Sequence, residues 1–273
     1  MGVSLSRMLA GGTYARKQIF SRSRLVAWSH RSRFALAARL VTPFAGGRLL
    51  DYGCGDGTFV ALVHDRFAHV VAADVDADLL ADCGARLREA ANVVFVPQQA
   101  LAGSQHEAAY DVITCMEVFE HCVDAARVTV LHDLRRLVRP GGRVIISVPI
   151  ETGPTLVAKQ LARRIAAWRG IGDYRYSERY TWTELARMAV ASGGGIPRPV
   201  YTSGSDGAPY EYHGHKGFRW RALEEEVRAV FRIDARRYSP LPFLGPVLNS
   251  QAWLVCSVVS RPQHPPGAPA PVA

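Results

Sequence analysis

The sequence predicts an α/β protein built on a doubly wound, mainly parallel sheet between residues 41 and 260. Short apolar runs alternate with helical patterns at short intervals, which is typical of strands joined by crossover helices. A glycine-rich turn joins the first of these runs to a helix. The chain has 273 residues, of which 48% are hydrophobic, enough to bury one full core with additional elements around it.

The first strand ends in three glycines that are spaced one residue apart. An apolar run starts at Arg48, and Asp51 precedes Gly53, Gly55 and Gly57 before a helical pattern resumes. Glycine tolerates positive φ and has no side chain, so the backbone N–H groups of such a turn can approach a ligand in front of a helix N-terminus. The G-x-G-x-G spacing differs from the G-x-G-x-x-G of dinucleotide-binding proteins, which disfavours an NAD-dependent oxidoreductase.

The second strand, predicted over residues 69–74, ends in an acid. Asp74 lies 21 residues beyond Gly53, the separation at which a βαβ unit places a carboxylate on a ribose diol. The alternative is that Asp74 only caps the next helix, which is predicted over residues 76–88. We favour the ribose role because of the distance from the glycine turn.

The remaining strands follow as apolar runs. The proline and glycines of residues 140–142 end a helix and permit the turn into a strand that continues to Pro149. The other strands are predicted over residues 92–96, 111–116, 231–235 and 252–259.

Residues 40–150 together resemble the class I S-adenosylmethionine-dependent methyltransferases. The glycine turn resembles their motif I, and residues 111–121 and 134–149 are similar to segments of the bacterial ubiquinone-biosynthesis O-methyltransferases. The resemblance implies a Rossmann-like fold with an antiparallel last strand, and S-adenosylmethionine as cofactor. Gln98 or Gln99 replaces the acid that contacts the adenine amine in the family, and an amide oxygen can still accept from that amine. The cofactor contacts implied by the resemblance are Asp51, Gly53, Cys54, Gly55, Asp74, Val75, Gln99 and Met116.

Methyl transfer is an in-line displacement, so the protein must hold the acceptor atom behind the methyl group. A hydroxyl acceptor must also lose its proton. His121 is the candidate base because imidazole titrates near neutrality and the residue follows the fourth strand; Glu120 beside it is the second catalytic candidate. The alternative is a histidine that only faces a helix or supports its neighbours.

Glu117, Glu120 and His121 form an E-x-x-E-H cluster. On a helical turn these side chains would share a face and could bind magnesium, zinc or manganese. The cluster resembles the metal site of the small-RNA 2′-O-methyltransferases, which take a further histidine from later in the chain, here His213 or His215. The alternative is that the carboxylates only interact favourably with a helix dipole.

The basic residues are concentrated at the start of the chain. Residues 1–40 hold eight Arg or Lys residues and no acid, against a net charge of +9 for the whole chain. This N-terminal arm could be a helix packed on the domain through Leu25, Trp28, Leu36 and Leu40, a membrane-surface anchor, or a transit peptide. We favour the packed helix.

An insertion at about residues 151–217 is expected to form a substrate lid. It starts with a helix over residues 155–169, whose apolar side could be a plain surface or could contact anionic lipid and admit a lipophilic substrate. Thr181 and Glu184 form a capping-box pattern, and residues 193–217 are predicted as a long functional loop. The apolar side of the first helix comprises Leu156, Val157, Leu161, Ile165 and Trp168.

The function that the resemblance and these residues favour is O-methylation of a small, lipophilic or aromatic hydroxyl acceptor. Alternatives are an RNA 2′-O-methyltransferase, a methyltransferase of a glycan or natural product, or a non-enzymatic protein on the same fold. RNA is disfavoured because no RNA-binding module is recognisable, and no DNA partner is expected. The five cysteines form no C-x-x-C pair, which favours a reducing cytoplasm, with contact at the membrane surface as an option. Residues 261–273 contain five prolines and are predicted to be disordered; nothing in the sequence defines the oligomeric state.

Overall fold

A seven-stranded sheet lies at the centre of the protein. The computed structural model describes residue 9 and residues 11–168, 178–190, 196–203 and 209–258; the predicted proline-rich tail lies outside these residues. The strands of the described residues are β1 Arg48–Tyr52, β2 His69–Asp74, β3 Val93–Pro97, β4 Tyr110–Met116, β5 Val138–Pro149, β6 Val200–Ser203, β7 Tyr210–His213, β8 Phe231–Ser239 and β9 Gln251–Val258.

The strand order of the large sheet is β3-β2-β1-β4-β5-β9-β8. The first five strands of the chain pair in parallel, and β9 runs antiparallel to both β5 and β8. The predicted doubly wound sheet with an antiparallel last strand is therefore confirmed. The α-helices of the described residues are α1 Arg24–Val41, α2 Thr58–Val63, α3 Ala77–Arg86, α4 Asp124–Leu137, α5 Gly153–Trp168, α6 Trp182–Val190 and α7 Trp220–Val230.

Both faces of the sheet are covered. Successive residues of a strand point to opposite faces, and Leu49 of β1 belongs to an apolar cluster with Phe34 of α1 and Phe59 of α2. Leu50 belongs to the other cluster, which contains residues of α4 and α7. β1 is thus buried on both faces. Because β1 lies between β2 and β4 in the sheet, the glycine turn at its carboxyl end lies away from the two outer strands.

The N-terminal arm contributes a helix that packs on the domain. Ser23 precedes α1, and its hydroxyl accepts from the N–H of Val26, as an N-cap does. The buried apolar residues of α1 are Ala27, Phe34, Ala37 and Val41. Leu25 and Trp28, expected to pack, are exposed instead, so the predicted apolar side was wrong for these two residues.

The insertion has a small core of its own, formed by Leu156, Tyr180, Leu185, Met188 and Ile196. The capping box is present: the Thr181 N–H donates to the Glu184 carboxylate, and the Glu184 N–H donates to the Thr181 hydroxyl. The prediction of a long loop over 193–217 was wrong, because β6 and β7 pair there as an antiparallel hairpin.

The first helix of the insertion exposes the side that was predicted to be apolar. Leu161, Ile165 and Trp168 of α5 are exposed, whereas Lys159 and Arg163 contact Glu151, whose side chain is fully buried. Part of the predicted apolar side is thus exposed, while Leu156 near the start of the helix is buried in the core of the insertion.

Candidate active site

The glycine turn after β1 has the backbone conformation that only glycine adopts easily. Gly53, Gly55 and Gly57 have φ values of 78°, 53° and 68°, in the left-handed region. A Cβ atom on Gly53 would also collide with the side chain of Val118. The turn therefore requires glycine, and it brings the backbone close to the space above the sheet edge.

Asp74 at the end of β2 faces the same turn. Its carboxylate accepts from the N–H groups of Gly55 at 2.8 Å, Val75 at 2.8 Å and Asp76 at 3.1 Å. The cap of α3 is Asp76, whose carboxylate accepts from the N–H of Leu79 at 3.0 Å. Asp76, and not Asp74, therefore caps the helix. Asp74 lies beside the glycine turn instead.

Asp51 lies beneath the turn and is buried. One carboxylate oxygen accepts from the Thr114 hydroxyl at 2.7 Å, while the other has no hydrogen-bond partner in the structure. Burial raises the pKa of Asp51 to about 7, although the Thr114 hydrogen bond opposes this and the charge of Asp74 adds to it. A buried, half-satisfied carboxylate of this kind suits a cationic ligand group.

These elements line a cavity of about 570 Å³. Gln98 lines it and donates through its amide to the Tyr52 hydroxyl at 2.6 Å, whereas Gln99 is exposed and lies outside it. Of the two glutamines, the structure therefore places Gln98 at the cavity. The predicted cofactor contacts that line it are Asp51, Gly53, Cys54, Gly55, Asp74, Val75 and Met116.

A second cavity of about 500 Å³ lies between α1 and α5. Leu25, Val26 and Ala162 contribute apolar surface to it, and Glu151 and His215 contribute polar groups. Among the described residues, the two cavities share four lining residues, namely Tyr14, Arg33, Glu117 and His121. We call these four residues the junction.

The segment from Glu117 to His121 was predicted as a helical turn, and that prediction was wrong. It is a turn between β4 and α4 in which the His121 N–H donates to the Val118 carbonyl at 2.9 Å. Glu117 has a φ of 58°, unusual for a residue with a side chain. Its carboxylate forms an ion pair with Arg33 at 3.1 Å, and it is not among the donor atoms of the group described next.

Three side chains present donor atoms within 4.8 Å of one another, namely Glu120, His121 and His215. Glu120 is fully buried, yet neither of its carboxylate oxygens has a hydrogen-bond partner, and the same is true of Nδ1 of His215. Burial, together with the charge of Glu117, raises the pKa of Glu120 well above its usual range. Such a cluster fits a divalent cation; compared with the predicted set, His215 joins it in place of Glu117.

The β6–β7 hairpin positions this donor group. Nδ1–H of His121 donates to the His213 carbonyl at 2.9 Å, and the His213 N–H donates to the His121 carbonyl at 2.9 Å. In the neutral ring, the lone pair is therefore on Nε2. Arg198, which precedes β6, donates to the carbonyls of Glu120 and Gly214, so it links the Glu120 turn to the segment that carries His215.

Tyr14, Arg33 and Arg198 were missed at the sequence level. The acid-free N-terminal arm was the signal that could have singled out Arg33, but eight basic residues share it. Nothing in the spacing of Tyr14 or Arg198 connects either residue to the site. His213, one of the two candidates for the further metal ligand, uses Nδ1 to bind the Pro199 carbonyl at 2.8 Å and is not part of the donor group.

Comparison with known proteins agrees with this geometry. The chain is 35% identical over 154 residues to the ubiquinone biosynthesis O-methyltransferase of Aeromonas salmonicida (strain A449), covering 54% of this chain and 63% of that protein. It is 33% identical over 155 residues to the protein of the same name from Thiobacillus denitrificans (strain ATCC 25259 / T1), covering 55% and 66%. The match thus spans less than two thirds of these relatives.

The fold also resembles solved structures. The PH0226 protein of Pyrococcus horikoshii OT3 superposes with a TM-score of 0.57 at 17% identity, over 90% of this chain and 98% of that one. DhpI in complex with SAH superposes with a TM-score of 0.51 at 16% identity, over 95% and 97%. A family model described as a methyltransferase domain matches residues 27–193, more than half of the chain. The chain therefore belongs to this methyltransferase family, and its fold is that of the class I, S-adenosylmethionine-dependent enzymes.

Proposed function

We propose that the chain is an S-adenosylmethionine-dependent O-methyltransferase that acts on a small, lipophilic or aromatic hydroxyl acceptor. The observation that carries the proposal is the pair of cavities that meet at the junction, where Glu117 and His121 belong to both. One cavity has the glycine turn and acids that suit the cofactor, and the other has the size for a small acceptor. The quinone-pathway names of the relatives support an aromatic hydroxyl.

The larger cavity fits S-adenosylmethionine. Asp74 presents a carboxylate at the end of β2, suited to a ribose diol, and the unpartnered oxygen of Asp51 suits the ammonium of the amino-acid end. Gln98 lines the same cavity, where its amide can contact the adenine ring of the cofactor. The bound cofactor supplies a methyl group on a sulfonium, a strong leaving group.

His121 is proposed to remove the proton of the acceptor. Because Nδ1–H is held by the His213 carbonyl, Nε2 is the atom that accepts, and His121 lines both cavities. The position of the ring is therefore fixed by the hairpin of the insertion, which also lines the cofactor cavity through Tyr210 and Tyr212.

Glu120, His121 and His215 are proposed to hold a divalent cation. A cation there would lower the pKa of a bound hydroxyl and would provide partners for the orphaned oxygens of Glu120 and for Nδ1 of His215. The two roles of His121 exclude each other, because both use the lone pair of Nε2. Chelation separates them: a base that works alone is insensitive to EDTA, whereas a metal enzyme loses turnover and regains it with Mg²⁺ or Mn²⁺.

A lipophilic acceptor and contact with an anionic membrane surface are proposed from the surroundings of the second cavity. Its flanking helices expose Leu25 and Trp28 on α1 and Leu161, Ile165 and Trp168 on α5. Exposed apolar side chains next to a cavity are typical of an interaction surface. Among the described residues, no helix has the length and apolar character to cross a membrane. All five cysteines are free thiols, which supports a cytoplasmic setting.

Transfer of a radiolabelled methyl group tests the function. The chain is incubated with labelled S-adenosylmethionine and either catechol-type acceptors or structured RNA. We expect label in the organic extract, and H121A should lower turnover by on the order of 10²–10⁴ with unchanged cofactor affinity. The matched control is H132A, which removes an exposed histidine of α4. Label in RNA alone would overturn the small-molecule acceptor in favour of the RNA alternative.

A further inference from the structure

Arg33 lies in the wall between the two cavities. It belongs to α1, is only 7% exposed, and is the one Arg or Lys among the described residues that lines both cavities. The proposed reaction joins a methyl group from one cavity to an oxygen in the other, so the two must meet at the junction. A guanidinium in that wall is therefore close to where the reacting oxygen has to be.

The guanidinium is fixed in place by its neighbours. Nη1 pairs with the Glu117 carboxylate at 3.1 Å, and Nη2 donates to the Tyr14 hydroxyl. The group also lies over the rings of Tyr14 and Phe34, 5.1 and 5.4 Å from their centroids. Tyr14 is itself held, because its hydroxyl lies 2.5 Å from Nδ1 of His30 and its N–H donates to Asp56 of the glycine turn at 2.7 Å. Arg33 is thus a preorganised charge rather than a mobile surface arginine.

We propose that Arg33 contacts the acceptor oxygen and stabilises the negative charge that this oxygen acquires, an inference that rests on the proposed methyltransferase function. With His121 as the base, the O–H bond of the acceptor breaks and its proton passes to Nε2 of His121. A lone pair of the oxygen forms the new O–C bond while the C–S bond breaks, and the electron pair of that bond stays on sulfur in a neutral thioether. The acceptor oxygen carries negative charge before the new O–C bond is complete. A fixed cation beside this oxygen stabilises that charge and so lowers the barrier.

Glu117 makes such a cation necessary. Its carboxylate is part of the junction, and a negative charge close to the acceptor oxygen opposes loss of the proton. The ion pair with Arg33 compensates this charge. Removing Arg33 therefore opposes loss of the acceptor proton in two ways. It takes away the cation, and it leaves the carboxylate of Glu117 without a compensating charge.

The other charges that face the second cavity do not replace Arg33. Lys159 and Arg163 pair with Glu151 at 3.1 and 2.9 Å, and none of these three residues lines the cofactor cavity. Burial lowers the pKa of both His30 and His215 to about 4, which leaves these rings neutral at pH 7. Glu120 and His121 have been described above as parts of the donor group.

The test uses 4-nitrocatechol, whose visible spectrum changes when a hydroxyl ionises. The full-length wild type, R33M, R33K and the control R39M are each saturated with this ligand at one pH at which the wild-type complex is partly ionised. Arg39 is an exposed residue of the same helix and lies outside both cavities. Spectra are recorded with EDTA and again with Mg²⁺, so that a bound cation is accounted for, and circular dichroism checks folding.

We expect R33M to lower the ratio of ionised to neutral ligand by about tenfold or more, since loss of one nearby charge shifts a pKa by at least about one unit. R33K should retain most of the ratio, and R39M should match the wild type. E117Q provides a second test in the opposite direction, because loss of the carboxylate should raise the ratio. These spectra do not depend on turnover.

An unchanged ratio in R33M, or in E117Q if R33M does not fold, would overturn the role of Arg33 while the methyltransferase function stands. Failure of the wild type to bind 4-nitrocatechol under both conditions would instead overturn the catechol-type acceptor, and the inference with it.

Discussion

The ion cluster around Glu151 gives the sharpest prediction for the stability of the site. Glu151 follows β5 with a fully buried side chain, and it pairs with Lys159 and Arg163 of α5. Burial alone would raise the pKa of this carboxyl, but the two cations outweigh it and hold the pKa at about 2, against an ordinary value of 4.5. At about 1.4 kcal/mol per unit, this difference corresponds to roughly 3 kcal/mol of folding stability at neutral pH.

The sign follows from the depressed pKa. The contribution is fully present above pH 4.5 and is lost as the pH falls towards 2, because the unfolded chain takes up the proton first. E151Q should therefore lower the free energy of unfolding at pH 7 by about 3 kcal/mol or somewhat more, since two cations are left without their carboxylate. The difference between E151Q and the wild type should shrink at pH 3.

Urea unfolding followed by circular dichroism at pH 7 and pH 3 measures both quantities. The control is E225Q, which removes an exposed carboxylate that lies 3.9 Å from Arg228; such surface pairs contribute less than about 1 kcal/mol. A loss in E151Q no larger than that in E225Q, or a loss that is the same at both pH values, would refute the argument.

Three further predictions concern the binding surfaces. D74A should lose about 1.5–3 kcal/mol of S-adenosylhomocysteine affinity by titration calorimetry, whereas D76A should destabilise α3 by about 1 kcal/mol and keep that affinity. E120Q should abolish the rise in Tm that Mn²⁺ produces in the wild type, a rise worth about 2.7 kcal/mol at a metal concentration of 100 Kd; no rise in the wild type would argue against the metal. Cosedimentation with anionic vesicles should fall steeply with salt and should be weakened by L161D or I165D. Equal binding to neutral vesicles would contradict contact with anionic lipid and would favour a plain surface helix for α5.

The cofactor half of the site could be predicted because it depends on local geometry. Gly53 and Gly55 need positive φ, and Asp74 follows from the length of one βαβ unit, so both features can be read from spacing. The identity of the glutamine at the cavity could not be read in this way. Gln98 and Gln99 are neighbours beyond the end of a strand, and their orientation depends on the 2.6 Å hydrogen bond between Gln98 and Tyr52, 46 residues apart in the chain.

The donor group shows the opposite case. Glu120 and His121 were identified by their spacing, but the assumed helix was absent, and Glu117 turned towards Arg33 instead. Its partner lies 84 residues away along the chain, and no periodicity links the two. For α5, the sequence left open what its apolar side contacts. In the structure, basic side chains of the helix pair with the buried carboxylate of Glu151, which precedes the helix and is not part of its pattern.

The two halves of the site therefore differ in how closely they are tied to the family. The region shared with the methyltransferase family ends at residue 193, and it contains the glycine turn, Asp74 and the E-x-x-E-H cluster. His213, which orients His121, and His215, which completes the donor group, both lie beyond that region. Of these two residues, His215 lines the second cavity, whereas most of the other residues that line this cavity lie inside the region of the family model. Under the proposed function, variants of His215 should change acceptor use without changing the cofactor acids, because His215 lines only the second of the two cavities.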